Sequence, residues 1–321
     1  MSKYRAVLCS LGLFLCAYVV ASPAHAQATR TWVSGVGNDA NPCSRTAPCK
    51  TWPGAISKTA PGGEIDALDP GGFGTVTITK SITLDGGGGQ VASILASGTP
   101  GVIVNGAGAV VILRNLRING ILQAGVPGTI GVNILSAARV EIENDDIFGF
   151  GNSAGQGGIV IAPSSGTVNV GVQNTSIYDS QAGLLSKPTG GAVVNLTVEH
   201  SYIDNNQGGG VRIDGTGGGT TNAAITDTSM SLNNGNGMVA ISGPSNVKVD
   251  LMRDVIANNV SSGVQSNNSA GGTSTVTVGD SILSNNVVGA WLIAGSATLQ
   301  TFKNNQVTGP IGSAPTPINF Q

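Results

Sequence analysis

Charge is scarce in this chain. Asp, Glu, Lys and Arg make up 10% of it, against about a quarter in an average globular protein. The 15 basic and 17 acidic residues leave a formal net charge of −2, which supplies no basic face for a phosphate backbone and excludes nucleic acid as a partner. The same balance argues against attachment to an anionic membrane. Aromatic residues are also few, at 4%, and Tyr178, Tyr202 and Trp291 are the main coil candidates for stacking on a ligand. Only two histidines occur, His25 and His200. There is no Walker loop, no zinc-ligand spacing and no G-x-S-x-G elbow.

The longest apolar run stands at the start. Lys3 and Arg5 precede an apolar stretch from Ala6 to Ala21, and Ala24-His25-Ala26 follows. That order describes a signal peptide cut before Gln27. The run is short for a bilayer span, and Leu13-Phe14-Leu15 before Cys16 lacks the small residue of a lipid-attachment site. Residues 1–26 are therefore expected to leave, with Cys9, Cys16 and His25. The remainder is expected to be a secreted or periplasmic monomer with no membrane span. Cys43 and Cys49 stay behind. Such a pair is a metal clip, a redox pair or a disulfide. An oxidising compartment, only two sulfur ligands and a spacing other than C-x-x-C point to a disulfide.

What the chain has in excess is glycine, with 49 residues, and many of these mark a repeat. Gly131, Gly158, Gly183, Gly210, Gly237, Gly263 and Gly289 each precede an apolar residue, at steps of 27, 25, 27, 27, 26 and 26. Apolar pairs five apart recur with the same period: Leu113 and Ile118, Ile142 and Ile147, Val172 and Ile177, Val198 and Ile203, Ile225 and Met230, Leu251 and Ile256. Upstream of them the chain alternates, as in Val168, Val170 and Val172 against Asn169 and Gly171, which is the pattern of a half-buried strand. Each unit reads as three short strands joined by turns. Stacked in register, such units make an all-β parallel β-helix, each coil adding about 4.8 Å. Eight or nine coils are expected between Thr75 and Val307. Residues 27–73 read as a cap with a short helix, 74–308 as coils and 309–321 as a tail. Asn115, Asn144, Asn174, His200, Asp227 and Arg253 form one polar corner column, where Asn tolerates a left-handed turn. Asn206, Asn233, Asn259 and Asn285 form a second column.

The segment Thr31–Gly86, with G-N-D-A-N-P, P-C-K-T-W and P-G-G-E-I, resembles the opening of the right-handed parallel β-helix, pectin-lyase-like superfamily. The later coils, such as "DSILSNNVVGA", resemble its repeats. The resemblance implies a capping helix that covers the open end of the rod, with Thr51 as its N-cap. It implies either a binding role or an enzyme, a polysaccharide lyase or glycoside hydrolase acting on acidic polysaccharide in a groove along the rod. The lyases of this superfamily commonly use Ca2+ held by acidic residues.

Two constellations fit such chemistry. Glu143, Asp145 and Asp146, with Glu141, could hold Ca2+ or supply an acid and a base. They also read as a solvated strand and turn. Glu199, His200, Asp227 and Arg253, with Asp254, could transfer protons, or simply continue the Asn column with charge. The Gly-His-Gly and Arg-Ile-Lys pairs expected of the hydrolases do not occur, and Asp214 stands where the second would have its lysine.

Overall fold

The computed structural model describes residues 27–122 and 125–319, so the expected signal segment lies outside the described residues. Among the described residues no helix is long and apolar enough to cross a membrane.

An alternating strand buries one face only if something covers it, and here the cover is the rest of the same coil. The strands of each coil pair in parallel with their equivalents in the next, like residue opposite like. A long face of 12 strands runs from Ala28–Val33 to Thr316–Pro317, and a second face of nine strands runs from Val76–Ile78 to Gly289–Ala294. A third face has six strands, Gly71–Gly72 to Tyr202–Asp204, then three more, Val255–Ala257 to Gln306–Thr308. Ser229 bridges Tyr202 and Val255 across the gap between the two sets. The result is an all-β parallel solenoid of about 10 turns. Strands in the cap and the tail join the long face, so the rod extends beyond Thr75–Val307 at both ends. The short helix α1, Trp52–Ile56, has Thr51 as its N-cap, accepting from the Gly54 N–H, and buries Trp52 and Ala55.

All six apolar pairs form the core, each residue at most 2% exposed. The repeating glycine follows from them. A Cβ on Gly158 would lie 2.3 Å from Ile177 Cγ2, and one on Gly183 would lie 2.3 Å from Ile203 Cγ2. Only a residue without a side chain fits beside these β-branched anchors.

The corner column is left-handed throughout: φ lies between 49° and 60° at Asn115, Asn144, Asn174, His200, Asp227 and Arg253. The residue after each corner turns inward and makes a buried ladder. Leu116 N–H donates to Asp145 Oδ1 at 2.8 Å, Thr175 N–H to Ser201 Oγ at 3.2 Å and Thr228 N–H to Asp254 Oδ1 at 2.9 Å. Asp254 N–H donates to Ser281 Oγ at 3.0 Å, and Ser281 N–H to Asn305 Oδ1 at 2.8 Å. Turn N–H groups that water cannot reach are satisfied by the next coil.

A second buried ladder links Asn206, Asn233, Asn259 and Asn286, each backbone N–H donating to the next Oδ1 at 2.9–3.1 Å. Its fourth member is Asn286, not Asn285. Asn285 occupies the exposed left-handed position, φ 52°, and the residue that follows it points inward.

Two ladder members are acids. Asp145 and Asp254 are at most 2% exposed, and each leaves Oδ2 without a partner. Burial pushes Asp254 up to about 8 and Asp145 well above the usual carboxylate range. The folded-state pKa of Asp254 is above its unfolded value. Its contribution to stability is therefore fully present below about pH 4 and is lost as pH rises through about 8. Asp254→Asn keeps the acceptor for Thr228 and cannot ionise. Thermal melts should show a shallower decline for this variant between about pH 5 and 9, and a Tm several degrees above the parent at the alkaline end. Parallel pH profiles for parent and variant would refute the assignment.

Candidate functional site

The coil register lines up outward residues at the cap end of the long face. Trp32 stands opposite Asp66, Asp66 opposite Asp85, Asp85 opposite Arg114 and Arg114 opposite Glu143. In the neighbouring row Arg30 stands opposite Glu64. Arg30 pairs with Glu64 and, at 3.2 Å, with Asp66; Arg114 pairs with Glu64 at 3.0 Å and with Asp85 at 2.8 Å. These groups line a cleft of about 380 Å³, together with Trp32 and Arg45. Arg45 is exposed and makes no hydrogen bond or ion pair among the described residues. Trp32, half-buried, also lines a mostly apolar cavity of about 840 Å³ with Ala28, Asn41, Pro42 and Lys58.

The cleft separates two carboxyl groups electrostatically. Burial, then the hydrogen bond and charge of Glu64, push Asp66 up to about 6. Burial acts on Asp85 in the same direction, but hydrogen bonds from Asn115, Gly87 and Arg114 outweigh it and hold Asp85 below the usual range. Near pH 6 one carboxyl is then about half protonated while its neighbour is ionised, an arrangement suited to acid–base work. Among the described residues, Glu64, Asp66 and Asp85 are the acids whose oxygens converge to within 4.8 Å. Two guanidinium groups already supply the positive charge a metal would bring.

The disulfide belongs to this site. Cys43 and Cys49 are bonded, and their loop clamps the backbone of Trp32. Trp32 N–H donates to the Cys43 carbonyl and Cys49 N–H to the Trp32 carbonyl, both at 2.9 Å. Arg45 lies inside the closed loop.

The other candidates fall elsewhere. Glu143 faces out on the long face, Asp145 is buried in the ladder and Asp146 faces out on the third face. The corner between them points the three carboxyl groups three ways, so they form no common Ca2+ site. His200, Asp227 and Arg253 do stack on successive coils. Arg253 Nε and Nη2 bind the two Asp227 oxygens at 2.8 and 2.7 Å, and His200 Nε2 lies 3.9 Å from Oδ2. The hydrogen bonds and charge of Arg253 hold Asp227 below its ordinary pKa. His200 and Arg253 stand exposed on the corner with Asp227 half-buried between them, and Glu199 is exposed at the end of the adjoining strand. Trp291 is buried and offers no sugar platform. The residues of the Trp32 cleft straddle the cap and the first coils, upstream of the glycine steps that mark the repeat. Aligning Ile65, Leu84 and Leu113 as inward anchors two coils further upstream places Asp66, Asp85 and Arg114 in one column.

No protein-family model matches this chain, and no curated protein matches it. Solved structures do. Pectate lyase Pel9A superposes with a TM-score of 0.53 at 14% identity, over 91% of this chain and 78% of that one. The chain has the pectin-lyase-like β-helix fold. The GH136 lacto-N-biosidase from Eubacterium ramulus gives a TM-score of 0.47 at 10% identity, over 91% of this chain and 67% of that one.

Two measurements follow from the cleft. Carboxyl titration by NMR should place Asp66 at about 6, and Glu64→Gln should lower that midpoint; a midpoint near 4 in the parent would remove the donor. Reducing the disulfide should speed amide exchange at Trp32 and Cys49 while the ladder amides of Asn233 and Asn259 stay protected. Unchanged exchange at Trp32 would disprove the clamp.

Proposed function

We propose that this protein is an exported carbohydrate-binding β-helix, and that its ligand is a polysaccharide lying across Trp32, between the apolar cavity and the charged cleft. The observation that carries this reading is the position of Trp32. It gives a half-buried indole next to convergent charged groups, the mix of apolar wall and few fixed polar groups typical of ligand sites. The unpaired guanidinium of Arg45 suits a sugar carboxylate. Export is supported by the N-terminal charged and apolar segment and by the disulfide. The resemblance in fold to a pectate lyase leaves ligand identity to the cleft itself.

The split between Asp66 and Asp85 favours a second reading, a lyase or glycoside hydrolase acting on acidic polysaccharide at the same place. Titration calorimetry of the protein with oligogalacturonate, oligoalginate and chondroitin fragments tests the first reading. Trp32→Ala should weaken the bound ligand by about 2 kcal/mol, roughly thirtyfold. Unchanged affinity would sink the site. New absorbance near 235 nm or new reducing ends, lost in Asp66→Asn, would establish the enzyme.

A further inference from the structure

A second concavity lies on the third face, away from the Trp32 cleft. It encloses about 540 Å³ and is lined by Asn119, Ile121, Leu122, Phe148, Asp179 and Gln207, among others. Its wall is a rigid stack. Phe148 and Tyr178 lie 5.0 Å apart with planes 3° from parallel, and the Arg117 guanidinium covers Phe148 at 5.1 Å from the coil before. The broad faces of Phe148 are thus occupied on both sides, and the groove meets the ring's edge. Recognition must then come from polar groups and from the apolar surface of Ile121 and Leu122.

Those polar groups are available. The Gln207 side chain makes no hydrogen bond among the described residues. Asn119 spends Oδ1 on the Ile121 N–H, which leaves its amide hydrogens free to donate. Asn205 donates to Asp179 and keeps its own carbonyl oxygen. The groove therefore offers both free donors and free acceptors. Its electrostatics are selective. Its lining carries one carboxylate, Asp179, and no basic residue; Arg117 stands outside the lining, over the Phe148 ring.

We infer that this groove is a second carbohydrate subsite, and that it takes an uncharged oligosaccharide, the hydroxyls meeting Asn119, Asn205 and Gln207. A uronate would bring its carboxylate beside Asp179 with no basic residue in the lining to meet it. The inference rests on the reading of the protein as a carbohydrate binder but not on the Trp32 site.

The test is calorimetry of the full protein with neutral hexasaccharides of β-1,4-linked glucose, xylose and mannose, and with hexagalacturonate. At least one neutral hexasaccharide should bind without competition from hexagalacturonate. Gln207→Ala and Asn119→Asp should each weaken it by roughly fivefold to tenfold, the latter keeping the acceptor for Ile121. Trp32→Ala should leave it unchanged. Melting curves confirm that each variant is folded. Neutral binding that depends on Trp32 and ignores Gln207 and Asn119 overturns the subsite and leaves the carbohydrate reading standing. Binding of hexagalacturonate alone overturns the neutral class. Binding of none of the four overturns the subsite, and the carbohydrate reading falls with it only if oligoalginate and chondroitin also fail to bind.

Discussion

The structure depends on how each coil disposes of the backbone N–H groups at its two tight corners. A left-handed residue turns the chain, and the following N–H points into the rod where water does not reach. An unpaired buried donor costs about 1–3 kcal/mol, and one recurs at every coil. The answer is a side chain from the next coil, placed at the same corner. This fixes the register of all three faces, because a slip of one residue would break both ladders and turn the apolar anchors outward. The core and the glycine columns then follow from register.

That requirement also explains the two buried acids. A ladder position needs one short acceptor, and Thr, Ser, Asn and Asp all provide it. Asp fulfils it at Asp145 and Asp254, but its second oxygen has no partner and its charge has no solvent. Burial therefore keeps the proton on. These aspartates hold turns together, which is why Asp145 does not join Glu143 and Asp146 around a cation.

Surface chemistry on such a rod arises where the repeat is interrupted. Over much of the long face the outward rows are uncharged, as in the exposed ladder Asn169, Asn195 and Asn222 with amide bonds of 3.0 and 3.2 Å. At the cap end the same rows carry Glu64, Asp66, Asp85 and Arg114, and the disulfide loop folds Arg45 and Trp32 against them. A staple that looks purely structural thus also positions a binding surface.

The sequence by itself determined the solenoid, the inward anchors, the left-handed column from Asn115 to Arg253 and the bonded cysteines. Each of these is set by local pattern: alternation, a fixed step, or the backbone tolerance of Asn. Tertiary structure decided which charges meet. Glu64 and Arg114 are 50 residues apart, and only the stacking of coils brings them to one cleft. It also decided which of two neighbouring corner residues faces in, the difference between Asn285 and Asn286 and between a solvated and a buried Asp145. A corner reverses the sense of alternation, so the direction of a side chain just past it is fixed by packing against the next coil and cannot be counted along the chain.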